Sequence, residues 1–477
     1  LNYIVMKYFF LLLPIILLSC RSTKELNNFT KLKLPSKFQN SELPQTDSTI
    51  AFRKLISDNN LLLLIDSGLQ NNQSAKALFE RINISNAELR MARGNFLPQV
   101  NLQTQTGVQR FGEYTVDGIG NFDTNLSDNI TPDRRIPQRM PDLYTGLQAQ
   151  WEADVWGKLR NRKKAAVNRY LSSYQAWQDA RLILMYHIAE RYFQLQTLDY
   201  KLKIAKENEL LQERALELVK IQKQAGLVTE LAVKQFEAQL YNTRAVELDL
   251  QKSIIELETS LNILLGRMPA AIVRTSLITE SSFKQLTSLL TPTSILSTRP
   301  DVLKAELELQ ASGADVAAAR AAFYPSISLH GNYGLHTLRS QVWFQLPVSL
   351  AYWLGGGITL PVFQRNQLKA ELAASKSRKN IAYLEYESVV TQAINEAQMY
   401  IDMQTIIEQA SNEKQLEVNS LNEGLAASQD LFLAGRATYL EVITAQKSVL
   451  LAQFDLADIE LMKVKNNLGL CKAFGIK

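Results

Sequence analysis

The chain has 477 residues, 46% of them apolar and 21% charged, the balance of a folded protein with a core. A net charge of +5 on that length is too small to argue for nucleic acid. Three scattered histidines and two cysteines leave little material for a His-rich metal site or a disulfide scaffold.

The chain opens on a targeting segment. Met6-Lys7 and the apolar run from Tyr8 to Leu18 are too short together for a permanent membrane helix. The run ends at Leu17-Leu18-Ser19-Cys20, similar to a bacterial lipobox, so residues 1–19 read as a signal peptide and Cys20 as the lipid-attachment residue. Several acyl chains at about 0.8 kcal/mol per buried CH2 would anchor that end firmly. A plain secretion signal is the competing reading, and a Cys20–Cys471 disulfide a further use of the cysteine. Residues 20–48, polar and Pro-containing, read as an extended strap.

A first repeat spans residues 49–265. Helix is predicted to about Asn95, breaking at Leu97-Pro98. A strand at about 98–110 then sets Val100, Leu102, Thr104, Thr106 and Val108 opposite Gln99, Asn101, Gln103, Gln105 and Gln109, a period of two with an uncharged polar face. Phe111 to Pro141, rich in Gly, Asp, Asn and Pro, reads as a long loop. A second strand at about 142–155 sets Leu143, Leu147, Trp151 and their neighbours opposite Tyr144, Gln148, Gln150 and Glu152. Leu159 to Leu265 contains no proline, and Gly226 reads as the turn between two helical arms, the second capped by Thr229. A connector at 266–298 shows no clear period.

Residues 299–477 repeat the plan. Adding 227 carries Arg93 onto Arg320, Phe96 onto Phe323, Pro98 onto Pro325 and Gly107 onto Gly334. Adding 209 carries Gly226 onto Gly435, Thr229 onto Thr438 and Gly266 onto Gly475. Strands are expected at about 325–336 and 347–361, with a second hairpin tip near 435. The chain is an internal duplication of a helix-strand-strand-helix unit.

Four strands of this length and texture suit a membrane barrel, yet four cannot close one, and an open edge in lipid leaves backbone groups unsatisfied. Copies must join; two would give eight strands, and three, the preferred number, give twelve and a wider lumen. Trp151 and Trp156 toward one end, with Tyr333 and Tyr352 toward the other, suit aromatic girdles. A soluble antiparallel sheet packed on a helix would also alternate.

Signal with lipobox, the F-L-P and F-Y-P junctions, and the paired A-G-x-x-T tips resemble the lipid-anchored branch of the TolC family of outer-membrane efflux ducts. The resemblance implies a mainly α protein with membrane β: a homotrimer whose 12-stranded β-barrel continues as a long periplasmic α-helical barrel. It implies a passive duct receiving substrates from an inner-membrane RND-type pump through a periplasmic adaptor. Gly226, Leu227, Val228 and Thr229, with Gly435, Arg436, Ala437 and Thr438, would form the mouth that meets the adaptor. Glu441 would fall where some members ring the closed pore with an acidic residue, and a solvated surface glutamate is the alternative. Phe432 and Ala437 stand where some members place a tyrosine and an arginine that latch the mouth.

No enzyme is expected, since no Ser-His-Asp or paired-carboxylate arrangement emerges, and no cofactor beyond lipid on Cys20. Gly355-Gly356-Gly357 lacks a following Lys-Ser/Thr and sits in a strand pattern, which favours close packing over phosphate binding. The competing functions are the lipid-anchored periplasmic adaptor of such a pump and, further off, a secreted hydrolase.

Overall fold

Helices of the same length occur in matched pairs. The structure, a computed structural model, describes residues 35, 37–39, 45–46, 52–275 and 289–476; the signal segment and Cys20 lie outside them. Contacts divide the chain into Leu1–Pro35 and Ser36–Lys477, and everything below belongs to the second unit.

The first copy runs α1 (Asn59–Asn71), α2 (Gln73–Gly94), β1 (Gln99–Gln109), α3 (Val116–Leu126), β2 (Met140–Ala153), α4 (Lys158–Gln224) and α5 (Glu230–Leu264). A short α6 (Pro292–Thr298) leads to the second: α7 (Pro300–Ala321), β3 (Ser326–Thr337), β4 (Leu350–Thr359), α8 (Gln367–Leu433) and α9 (Tyr439–Ala473). Both ends of α2 and α7 differ by 227, and both ends of α4 and α8, and of α5 and α9, by 209. The lost 18 residues come out of the segment between the strands, long in the first copy and short in the second.

At 67 residues each, α4 and α8 run about 100 Å. Nothing in either interrupts the hydrogen-bond ladder, since proline is absent from both. Each starts after a left-handed residue, Gly157 at φ 76° and Asn366 at φ 62°, the two residue types that tolerate that region best. The Asp154 carboxylate accepts the Leu159 and Arg160 N–H groups, both at 2.9 Å, satisfying donors that the first turn of α4 leaves open. Within the chain α4 packs on α1, α2, α5, α7 and α9, and α8 packs on α7 and α9. Asp58 fixes α1 to this frame: it caps α1 at the Asn60 N–H and accepts the Tyr192 hydroxyl at 2.6 Å. Burial, then that hydrogen bond, pushes the Tyr192 phenol up to about 12.

Two expectations need correction, and the connector gains detail. The segment after β1 is not a plain loop, because α3 forms inside it: Val116, Ile119, Phe122 and Leu126 recur at helical spacing among the glycines and asparagines, and the Thr115 hydroxyl caps it at the Gly118 N–H, 3.1 Å. The connector holds α6 and a two-residue parallel pairing of Leu289–Leu290 with Gln45–Thr46. Thr229 starts α5 with extended backbone but makes no side-chain capping bond. At that end the Ala232 N–H donates to Thr229's carbonyl at 3.2 Å.

Candidate functional site: the sheet and the paired hairpin tips

The sheet runs β1-β2-β3-β4, antiparallel throughout, and leaves β1 and β4 with free edges. Its register builds an apolar row on one face and an amide row closed by a tryptophan on the other. Leu102, Leu147, Tyr333 and Tyr352 stand side by side on one face; Asn101, Gln148, Asn332 and Trp353 stand side by side on the other. Among the described residues no layer covers the apolar face, where Leu102 is 73% exposed, Tyr352 79% and Leu354 81%. A sheet meant for water buries such a face against a second layer. This one does not.

Glycines set how closely the central strands meet and how flat the polar face lies. Gly146 and Gly334 are register partners, and a Cβ on Gly146 would stand 2.6 Å from the Gly334 Cα. The Trp353 ring lies over Gly355, whose missing Cβ would stand 2.5 Å from it, so the aromatic hugs the wall instead of projecting. Close packing is therefore the use of this triplet's first glycine. At the helix junctions the Trp151 indole donates to the Phe96 carbonyl at 2.8 Å and the Trp156 indole to the Pro325 carbonyl at 2.7 Å. Both carbonyls lie where helix gives way to strand, the first two residues before Pro98 and the second on Pro325 itself.

At the far end of the helices, two turns close alike. Gly226 at φ 76° donates to the Lys223 carbonyl and Leu227 to that of Gln222, both at 2.9 Å; Gly435 at φ 71° donates to Phe432 at 3.0 Å and Arg436 to Leu431 at 2.8 Å. These are the paired bonds of a Schellman turn, and glycine is the residue that takes the left-handed position without strain. Gly226, Leu227, Thr229, Gly435, Arg436 and Thr438 are exposed, while Val228 and Ala437 are half-buried.

Glu441 is exposed and already bonded: its Oε2 accepts the Thr438 N–H at 2.6 Å, the reach-back of a capping box. The tips also differ in chemistry. Lys223 and Glu230 pair across the first; the residues 209 positions on, Phe432 and Tyr439, instead pack with Ile443 on Leu216, Val219 and Phe236 beneath the first tip. Sequence reading singled out Phe432 only as a replaced tyrosine and missed this contact. The signal was there: a charged pair in one copy becomes an aromatic pair in the other.

His330 bonds the Ser328 hydroxyl at 3.0 Å, His336 the Asp142 carboxylate at 2.7 Å, and His187 faces Glu190. Among the described residues no group of three His, Cys, Asp or Glu side chains could hold a metal ion. Cys471 is a fully buried free thiol whose pKa burial pushes well up.

A model of the outer membrane efflux protein family matches residues 64–267 and 291–475. The chain belongs to that family. The cation efflux system protein CusC of Escherichia coli O6:H1 is 27% identical over 428 residues, covering 89% of this chain and 87% of CusC. The probable outer membrane lipoprotein SilC of Salmonella typhimurium is 24% identical over 453 residues, covering 92% and 90%. The crystal structure of the Campylobacter jejuni CmeC outer membrane channel superposes with a TM-score of 0.80 at 20% identity, covering 94% of this chain and 92% of CmeC. This outer membrane efflux protein thus has the fold of the TolC-like ducts, and it is a transport component and not an enzyme. The adaptor and hydrolase readings fall with that.

Proposed function

We propose that three copies assemble into one passive export duct, β4 of each pairing with β1 of the next to close twelve strands across the outer membrane. One observation supports this most: in both layers the copy ends on unpartnered elements. Unpaired strand edges in hydrocarbon cost several kcal/mol per backbone group, so the edges must meet. In the helical layer α2 and α5 lie at one end and α8 at the other. α5 leaves Tyr241, Leu248 and Ile255 exposed at heptad spacing, a second seam with no neighbour among the described residues. Joined side by side, the helices continue the barrel into the periplasm.

Lipid on Cys20 would hold the N-terminus at the membrane. A periplasmic adaptor would dock on Gly226–Thr229 and Gly435–Thr438, where Leu227, Leu231, Leu433 and Leu440 stay uncovered, and an inner-membrane RND-type pump would supply the energy. A lumen wall of Gln, Asn and Ser carries no strong preference, so selection rests with the pump. Three Glu441 carboxylates at a narrow mouth would favour cations.

Purified protein in planar bilayers tests the gate: wild type against Glu441→Gln. A fall in cation preference supports the ring. Unchanged selectivity with lowered stability assigns Glu441 to the Thr438 cap alone.

A further inference from the structure

Where β1 ends and β4 begins, the two edge strands each carry a segment with uncovered apolar side chains. After β1 come Tyr114, 96% exposed, and α3, whose Ile119, Phe122 and Leu126 share one exposed face with Val116. Before β4 the Trp343 and Phe344 rings stack at 5.0 Å, and Phe344, Leu346 and Val348 lie 68–72% exposed.

The α3 segment is braced from behind. The Asn125 amide brackets Ile136, accepting its N–H and donating to its carbonyl, both at 2.8 Å. The Arg339 guanidinium, from the segment between β3 and β4, donates to the Arg135 carbonyl at 2.9 Å. The returning limb is therefore tied to the copy's own second segment, yet that segment leaves the α3 face open. What covers α3 must come from elsewhere.

Strand pairing supplies it. All neighbours in the sheet are antiparallel, so β4 of one copy beside β1 of the next sets Leu350 at the same end of the seam as Gln109. The segment before β4 then lies against the segment after β1 of the adjoining copy. We propose that the Ile119–Phe122–Leu126 face of α3 packs on the Phe344–Val348 segment of the neighbouring copy, sealing each seam a second time beyond the sheet. The partner is a second copy of this chain, and the inference rests on the three-copy duct proposed above. It assigns α3, present in the first internal repeat and not in the second, to the outer rim of the assembly.

The test is a cross-link in outer-membrane fractions of the full protein, using a short bismaleimide and denaturing gels. Cys471, buried, stays out of the reaction. Phe122→Cys with Phe344→Cys in one chain is expected to give covalent dimers and trimers, while each single variant gives monomer. Phe122→Cys alone giving dimers would overturn the proposal in favour of α3 helices meeting on the axis. No cross-link from the double variant, with the uncross-linked complex still weighing three chains, would overturn it in favour of a lipid-facing α3. A complex that weighs one chain before cross-linking overturns the duct as well, which separates the two failures.

Discussion

Gly475 sits so close to Thr298 that a Cβ would stand 2.9 Å from its carbonyl oxygen, and Gly266 has the same relation to Asn71, at 2.5 Å. The offsets that relate the copies, 209 for the glycines and 227 for their neighbours, carry one contact onto the other. Each copy thus closes its hairpin against the start of its own α2 or α7 through a left-handed glycine, φ 66° and 65°. Alanine at either position meets backbone as well as an unfavourable φ. The tip glycines, Gly226 and Gly435, have the φ problem with nothing within 4 Å of the missing Cβ. Gly266→Ala and Gly475→Ala should lower stability by several kcal/mol in thermal melts, and Gly226→Ala and Gly435→Ala by about 1 kcal/mol.

Arg299, buried where α6 meets α7, should be the costliest charged residue to remove. Its guanidinium donates to Asp301 at 2.7 and 3.0 Å, to Glu396 at 2.9 Å and to the Ala473 carbonyl at 3.1 Å, joining α7, α8 and the end of α9. Arg299→Leu takes the guanidinium from Asp301 and leaves Glu396 with Lys472 at 3.7 Å, and breaking a buried pair from one side costs about 3–5 kcal/mol. The expected result is a large fall in denaturation midpoint at pH 7, eased by a second change, Glu396→Gln.

Glu190 gives a pH signature. His187 at 3.7 Å, with Lys465 behind it at 3.2 Å, lowers its carboxyl to about 2 from an ordinary 4.5. A depressed folded-state value favours the ionised form, so its stabilisation is complete above about pH 4.5 and disappears as pH falls toward 2. Half-exposed partners limit it to about 1 kcal/mol. Melts of Glu190→Gln against wild type should show a constant deficit from pH 7 to 5 that closes in acid.

The sheet glycines should separate assembly from conduction. A side chain at Gly146 meets the Gly334 backbone, so Gly146→Val should prevent the sheet from forming and leave no membrane-inserted complex. At Gly355 the obstacle is the Trp353 ring, which can swing away. Gly355→Val should insert normally and show a lower single-channel conductance, as the ring is pushed off the wall.

Much of this architecture was written in local pattern. Alternation of apolar residues with Gln and Asn marks the strands because each face of the sheet meets one environment, and Gly226 and Gly435 mark the turns because nothing else takes that backbone cheaply. The duplication was legible because both copies must make the same contacts, as Gly266 and Gly475 do. What stayed hidden depends on distance in the chain. α3 was masked by the glycines and asparagines around a short apolar stripe. Phe432 and Tyr439 stand where the first tip has its charged pair, but that exchange does not say that they lean on Phe236, about two hundred residues away. Glu441 looked like a free carboxylate because its bond to the Thr438 N–H is a matter of side-chain direction.

The mass of the detergent-solubilised complex, measured by light scattering with the detergent contribution subtracted, tests the central claim most directly. Three chains per particle, falling to one on heating, is the predicted result. A stable particle of one chain that still conducts in a planar bilayer would contradict it.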